Sequence, residues 1–270
     1  MVKKGKNQYW GFTLIELLTV IVILGLILLI TIPIIFKIIE DAKKGAFRNS
    51  VYSYIKSTET VYAKNTLTLG VQGKGVILFV DGVETSNQPE LKLEYKGTKA
   101  KDGIVIIKEN GEVGAAIHNG TWCAIKKYND PKVILEKTDF ANCTLPTDVP
   151  EGWIPVANAD ELNQIRNEGS FIFGKNTKWE GTYESGLDKN YVQVANIDLS
   201  KYSKEAGWLP IGETSETAFV GKYNGSYARI DHLKINRPDM NSVGLFGNAS
   251  ADFNQIVIVN SDIIGGSSSA

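Results

Sequence analysis

The stretch that decides the fold is Gly11–Phe36, which reads GFTLIELLTVIVILGLILLITIPIIF. From Phe12 onward its 25 residues carry one charged side chain, that of Glu16. At a rise of about 1.5 Å per residue, a helix of this length spans roughly 37 Å, whereas the hydrocarbon core of a bilayer is about 30 Å thick. The stretch therefore predicts a membrane-spanning helix.

The residues before this span predict its orientation. Lys3, Lys4 and Lys6 precede it without any acidic residue, so the positive-inside rule places the N-terminus in the cytoplasm and the rest of the chain outside. A secretory signal fits less well, because its apolar region has about 7–15 residues and ends at a small-residue cleavage site. A plain membrane anchor fits the length but leaves Glu16 unexplained, since an acid at mid-membrane costs on the order of 3 kcal/mol.

The string Gly11–Leu18, GFTLIELL, lies between a basic leader and a long apolar run and resembles the class III signal of type IV prepilins and pseudopilins. The resemblance implies that a membrane aspartyl peptidase, the prepilin peptidase, cleaves between Gly11 and Phe12 and that Phe12 is then N-methylated. It also implies that Glu16 pairs with the free amino terminus of a neighbouring subunit during assembly. Glu16 would then act in assembly and not in catalysis.

Gly25 and Pro33 interrupt the apolar run. Pro33 lacks the backbone N–H that an interior helix position donates. In the pilin family a glycine and a proline at matching places bracket a helix segment that loosens when subunits pack. The alternative is that both residues are simply tolerated, as they commonly are in membrane helices.

After the span, apolar residues recur every three or four positions from Ile39 to Tyr62 with charged residues between them. This pattern predicts that the helix continues with one buried face and ends near Lys64 or Asn65. Asn110-Gly111 and Asn119-Gly120 are tight hairpin signals within a region of short apolar runs. The runs predict five strands: Val76–Val80, Leu91–Tyr95, Ile104–Lys108, Glu112–Ile117 and Thr121–Lys127.

A long helix followed by an antiparallel sheet is an α+β arrangement, and it resembles the pilin head. Cys123 and Cys143 follow the last predicted hairpin. If the head lies outside the cytoplasm, they are expected to form a disulfide that stabilises it by roughly 3 kcal/mol. Two buried free thiols are the alternative. Many pilins carry a disulfide-bounded loop near the end of the head.

A proline-rich connector, Thr144–Pro155, predicts a domain boundary. After it, Asn158 and Glu161 form a helix-capping pattern for a short helix through about Asn167. Short apolar runs then recur at intervals of roughly 20–30 residues, which favours stacked rungs over a single sandwich. The predicted strands are Phe171–Phe173, Tyr191–Ile197, Phe219–Tyr223, Ile230–Ile235, Val243–Phe246 and Ile256–Val259.

The order of motifs in this region resembles GLUG-type surface modules, which implies a right-handed parallel β-solenoid. The resemblance covers about 153–266 and departs from the usual pattern in having few rungs. A β-sandwich with coincidental glycines is the alternative. The motifs are YVQVANIDLS (Tyr191–Ser200), WLPIG (Trp208–Gly212), FVGKYNG (Phe219–Gly225), IDHLKIN (Ile230–Asn236) and GLFG (Gly244–Gly247).

Little in the sequence predicts catalysis or a cofactor. The formal net charge is −1, so general nucleic-acid binding is not expected, and two cysteines with two histidines rarely suffice for zinc. We expect neither a metal nor an enzyme, because phosphate-binding loops and hydrolase motifs are absent. His118 and His232 are interpreted as packing or surface residues. The acids of the distal region that invite a glycosidase interpretation are not placed as a pair by the sequence: Glu213, Glu216 and Asp231.

The sequence as a whole predicts four segments: a cleaved cytoplasmic leader (1–11), a transmembrane and assembly helix (12–65), a pilin-like β head (66–147) and a GLUG-like module (148–270). The predicted protein is a single-pass membrane protein that polymerises with itself or other pilins into an extracellular filament. Its other predicted partners are the prepilin peptidase, the membrane, an assembly platform, and a carbohydrate or protein ligand of the distal module. The alternatives are a pseudopilin of a type II secretion or DNA-uptake machine, and an uncleaved membrane-anchored binding protein.

Overall fold

A computed structural model describes residues 11, 13–70 and 73–266 of the chain. Two α-helices lie within these residues, α1 (Leu14–Leu69) and α2 (Ala159–Gln164). The chain divides into two compact units, Met1–Ala46 and Phe47–Ala270, so the boundary falls within α1. The predicted coarse architecture is confirmed: a long apolar N-terminal helix precedes a region built mostly of β-sheets.

The first unit contains the apolar part of α1. Its large apolar side chains are exposed, from 44% at Ile39 to 85% at Leu14. Among the described residues, α1 is the helix that is long and apolar enough to cross a membrane. Apolar surface of this extent is stable only when lipid or other protein covers it.

The helix α1 ends at Leu69 and not at the predicted Lys64 or Asn65. Thr66 and Thr68 lie in this last turn, and their hydroxyls donate to the carbonyls of the residues four positions earlier, at 2.9 and 2.8 Å. Gly70 follows with φ of 64°, the left-handed conformation that commonly terminates a helix. Thr66 and Thr68 interrupt the apolar pattern in the last turn of the helix. The pattern therefore predicts a helix that ends about one turn too early.

A six-stranded antiparallel sheet follows, with strand order β2-β1-β3-β4-β5-β6. Both predicted hairpin turns are confirmed, since Asn110-Gly111 joins β3 to β4 and Asn119-Gly120 joins β4 to β5. Two strands of this sheet were not predicted: β6, and β2, which pairs with β1 across the two-residue turn Asp81-Gly82. The strands are β1 (Gly75–Val80), β2 (Val83–Ser86), β3 (Asp102–Ile107), β4 (Val113–His118), β5 (Cys123–Lys126) and β6 (Val133–Glu136).

Both faces of this sheet are covered. One face packs against the C-terminal part of α1, where Val51, Tyr54 and Ile55 meet Val105 and other strand residues. The opposite face holds Ile104, Ile106 and the two cysteines in a separate buried cluster. Because adjacent side chains of a strand point to opposite faces, β3 is apolar throughout its second half.

The predicted strand Leu91–Tyr95 is wrong, although more buried and more exposed side chains do alternate along this segment. Leu91 is fully buried against α1, but the segment does not pair with the sheet. Its backbone amides donate instead to serine hydroxyls on one face of α1. The N–H groups of Glu94, Lys96 and Thr98 contact Ser57, Ser53 and Ser50 at 2.8, 2.9 and 3.0 Å.

The C-terminal region begins with a strand that starts a parallel ladder. In the ladder β7-β10-β12-β15, Ile154, Tyr191, Tyr223 and Phe253 lie side by side. A second parallel ladder is β11-β13-β16 and a third is β14-β17, while β8 and β9 form an antiparallel hairpin. The strands are β7 (Ile154–Val156), β8 (Gly169–Phe173), β9 (Gly181–Ser185), β10 (Asn190–Gln193), β11 (Ile197–Asp198), β12 (Lys222–Asn224), β13 (Arg229–Asp231), β14 (Lys234–Asn236), β15 (Asp252–Asn254), β16 (Val257–Val259) and β17 (Asp262–Ile264).

Several predicted boundaries in this region are corrected. The runs Tyr191–Ile197 and Ile230–Ile235 are each two strands, because the chain turns a corner within them. At the second corner His232 has φ of 57°. The run Val243–Phe246 is not a strand: its contact with the segment 208–212 is the Leu245 carbonyl, which accepts the Ile211 N–H at 3.1 Å and the Trp208 indole N–H at 3.0 Å. The helix α2 ends at Gln164, three residues before the predicted Asn167.

Candidate functional site

The predicted processing site lies at the edge of the described residues. Gly11 is exposed, and a Cβ built on it meets no atom within 4 Å. Phe12 lies outside the described residues, so its predicted N-methylation is not addressed by this structure. An exposed glycine just before a helix leaves room for an enzyme to approach the backbone.

Glu16 takes part in a reciprocal cap at the start of α1. The backbone N–H and the hydroxyl of Thr13 both donate to Glu16 Oε2 at 2.8 Å, and the Glu16 N–H donates back to Thr13 Oγ1 at 3.3 Å. This is a capping box, for which T-x-x-E is the sequence signature. This role of Thr13 was not predicted, although its signature is present in the sequence. The cap holds the carboxylate at the helix N-terminus, where the helix dipole favours an anion.

Gly25 and Pro33 both lie inside the continuous helix α1. A Cβ built on Gly25 meets nothing within 4 Å, so the helix surface around it is open. The predicted loosening concerns helices packed in a filament, and it therefore stays a prediction for this single chain.

Cys123 and Cys143 are joined by a disulfide. Both are buried, at 0% and 2% exposure. Of the two alternatives, the structure therefore has the disulfide and not the pair of free thiols. Cys123 begins β5, and Cys143 directly follows a short 3-10 helix, Phe140–Asn142. The bond therefore attaches this short helix to the sheet face that does not contact α1.

The two histidines contact polar groups of the protein. His118 Nδ1 accepts the Gly120 N–H at 3.2 Å, and its Nε2 lies 3.0 Å from the Thr138 carbonyl. His232 is paired with Asp198 on the surface. Within residues 11, 13–70 and 73–266, no three His, Cys, Asp or Glu side chains could hold a metal ion.

The acids considered for glycosidase chemistry are not brought together as a catalytic pair. Asp231 is buried and bonded to Arg229 Nε at 2.5 Å and to Asn260 at 3.1 Å. Burial raises the pKa of Asp231, and the Arg229 guanidinium opposes that rise. Glu213 and Glu216 lie on an exposed loop. Asp231 is therefore held by the Arg229 guanidinium.

A cleft of about 1050 Å³ opens in the C-terminal region. Its walls are the start of α2, the hairpin β8–β9, the strand β11 and the short helix Phe140–Asn142. Apolar and charged side chains both line it, including Phe171, Ile172, Ile197, Asp160, Lys175 and Lys201.

Glu161 fixes one wall of this cleft. It is 1% exposed, and its carboxylate accepts the N–H groups of Ala157 at 2.7 Å, Gly174 at 2.9 Å and Lys175 at 3.0 Å. It also accepts from Asn158, whose side chain caps α2. Burial raises the pKa of Glu161, while these donors oppose the rise. The predicted capping pair thus also holds the loop after β8.

The rim of the cleft carries polar groups beside apolar surface. Lys201 and the Tyr202 hydroxyl both bond Asp160, and the Lys201 contact lowers the pKa of that carboxyl. Ile172 remains 54% exposed at the other wall. A cleft of this type can hydrogen-bond a polar ligand while covering part of its apolar surface.

The comparisons with known proteins assign no family to the chain. It matches no protein-family model, no curated protein and no solved structure.

Proposed function

We propose that this chain is a type IV pilin-like subunit that is cleaved after Gly11, methylated at Phe12 and polymerised through α1 into an extracellular filament. The observation that carries the proposal is an apolar helix surface, exposed from Leu14 to Ile39, that includes a single carboxylate at Glu16. Before assembly the same helix anchors the subunit as a single-pass membrane protein. In the filament, sister helices replace lipid around it.

The charge at Glu16 supports the proposal. A carboxylate near an apolar helix surface is costly in lipid unless a cation partners it. Cleavage after Gly11 would create an amino terminus one residue before Thr13, whose own N–H already contacts Glu16. A neighbouring amino terminus would neutralise the carboxylate, so the cost in lipid would favour assembly. In a plain anchor the acid would serve only the helix cap that it forms with Thr13.

We further propose that the residues after the connector form a GLUG-type β-solenoid module that the filament displays. Three parallel ladders support this proposal. Successive partners in the first ladder, from Ile154 to Tyr191, Tyr223 and Phe253, are 37, 32 and 30 residues apart. Such intervals fit one turn of chain per rung.

A blocked-processing variant tests the proposed function. We expect Gly11→Val to stop cleavage, because the bulky side chain occupies the position that the peptidase must approach, and to leave the chain in the membrane with Met1 at its N-terminus. Gly25→Val is the matched control, since it introduces the same side chain at another open glycine, inside α1, and should be processed normally. Mass spectrometry of the N-terminal peptide measures both.

Three results would oppose the proposal in different ways. Normal cleavage of the Gly11 variant would contradict the assigned processing site. A wild-type chain that keeps Met1 would favour the uncleaved anchor. A wild-type chain that is cleaved but never leaves the cell pellet would favour the pseudopilin.

The cleft favours a ligand-binding role for the displayed module. We expect Ile172→Arg to weaken binding of the full chain to carbohydrate or protein ligands at least tenfold. The long, charged arginine side chain would extend from this wall and occupy space in the cleft. Val220→Arg is the control, since both side chains are 54% exposed but Val220 does not line this cleft. Glycan arrays and immobilised surface proteins provide the measurement. Equal binding by both variants would remove the cleft from the proposed role.

A further inference from the structure

The C-terminal module packs directly on the sheet of the head. Tyr227, which precedes β13, packs against the cluster that contains Ile104, Ile106 and the disulfide. Its hydroxyl accepts a hydrogen bond from Lys74 Nζ at 2.8 Å. The sheet face opposite α1 is therefore covered by residues from beyond the proline-rich connector.

A buried ion-pair cluster crosses this contact. Arg229 of β13 donates from one terminal nitrogen to Asp102 Oδ1 of β3 at 2.8 Å, and from Nε to Asp231 Oδ2 at 2.5 Å. Its guanidinium also lies 4.2 Å from the ring centre of Phe140. All three charged side chains are at most 11% exposed. A buried cation between two carboxylates is sensitive to loss of any member, because an unpaired buried charge is strongly destabilising.

Asn196 makes a second set of bonds, to the short helix that ends at Cys143. Its side-chain amide donates to the carbonyls of Phe140 at 2.7 Å and Cys143 at 3.1 Å, and its backbone N–H donates to the Ala141 carbonyl at 2.7 Å. Its side-chain oxygen accepts a hydrogen bond from the backbone N–H of Arg229 at 2.7 Å. One residue thus connects the disulfide loop of the head to β13 of the module.

We propose that the disulfide loop, Asn196 and Arg229 form a fixed joint that holds the C-terminal module against the head. The disulfide keeps the helix Phe140–Asn142 on the sheet, and this positions the carbonyls that Asn196 binds. Asn196 and Arg229 then lock the module onto those carbonyls and onto Asp102. The inference does not depend on filament formation.

Hydrogen exchange of the full chain in detergent micelles tests the joint. The reporter is the backbone N–H of residue 196, because its hydrogen bond to Ala141 crosses the joint. We expect Asn196→Ala and Arg229→Met each to accelerate exchange at residue 196 at least tenfold. For Asn196→Ala, which leaves the buried ion pairs of Arg229 intact, amides of the strands β3 and β4 and of the ladder β10-β12 should change less than twofold.

The matched control is Lys222→Met. It removes a cation that pairs with Asp252 in the same module but away from the head, and exchange at residue 196 should remain unchanged. If neither Asn196→Ala nor Arg229→Met alters exchange at residue 196, the joint is overturned. If Asn196→Ala accelerates exchange equally in the sheet and the ladder, these contacts support global stability instead, and the joint is likewise overturned.

Removal of the disulfide tests whether this bond positions the helix Phe140–Asn142 for Asn196. A chain with both Cys123→Ala and Cys143→Ala should show the same local acceleration at residue 196, because the short helix loses its attachment to β5. Unchanged exchange at residue 196, or an equal rise throughout the head, would overturn the positioning role of the disulfide.

Discussion

Glu16 is the residue on which the proposed assembly depends. In the single chain its carboxylate is bonded by Thr13, so its charge is partly stabilised before any partner arrives. The cap leaves the carboxylate at the exposed N-terminal end of an apolar helix, where a neighbouring amino terminus can approach it. In the proposed assembly, one side chain would thereby link local helix capping to subunit recognition.

Replacement of Glu16 should separate processing from assembly. We expect Glu16→Ala to be cleaved after Gly11 but to yield filaments reduced at least tenfold, because the incoming amino terminus loses its counter-ion. The yield of sheared filaments and the mass of the N-terminal peptide measure the two steps. Thr19→Ala serves as the control, since it removes a hydroxyl that bonds the helix carbonyl of Ile15. Wild-type filament yield from the Glu16 variant would refute this role.

Among the elements, α1 differs along its length in how its apolar side chains are buried. Its N-terminal part exposes an apolar surface, while its C-terminal part buries Val51, Tyr54 and Tyr62 in the head. The serines of the C-terminal part also satisfy the backbone of the segment 91–98, which would otherwise need a neighbouring strand. The helix thus substitutes for an edge strand.

Ser57 provides a test of this arrangement. We expect Ser57→Ala to lower the free energy of unfolding by about 1–2 kcal/mol, because the Glu94 N–H loses its acceptor in a partly buried place. Thr60→Ala should change it much less, since that hydroxyl only bonds the Lys56 carbonyl on the exposed helix surface. Chemical denaturation of the full chain in detergent compares them. Equal effects of the two variants would show that the serine contacts do not support the segment.

The sequence predicts elements well where a local signal exists and poorly where partners are distant. The apolar run, the two Asn-Gly turns and the capping pair Asn158 and Glu161 each act within a few residues, and the structure contains the corresponding elements. The alternation at 91–95 predicts burial correctly but not the hydrogen-bond partner, because periodicity does not distinguish a strand from serines on a helix.

The joint could not be predicted for the same reason. Arg229 bonds Asp102, and Asn196 bonds Phe140, across separations of 127 and 56 residues. Neither residue belongs to a motif with a known spacing to its partner. Likewise, the cleft is formed by α2, a hairpin and a strand that come together only in the folded chain.

At the scale of the whole molecule, the proposed function combines polymerisation through α1 with display of the C-terminal module. The disulfide, Asn196 and Arg229 give the head and the module a shared buried contact. A ligand bound in the cleft would contact the same short helix, Phe140–Asn142, that the joint uses. Ligand binding in the cleft and attachment of the module to the head would therefore involve neighbouring residues.

The most direct test of the central claim is quantitative mass spectrometry of filaments sheared from cells that produce this chain. The filament fraction should contain the chain, and its N-terminal peptide should begin with N-methylated Phe12. A chain that is absent from that fraction and retains Met1 in the cell membrane would contradict the account.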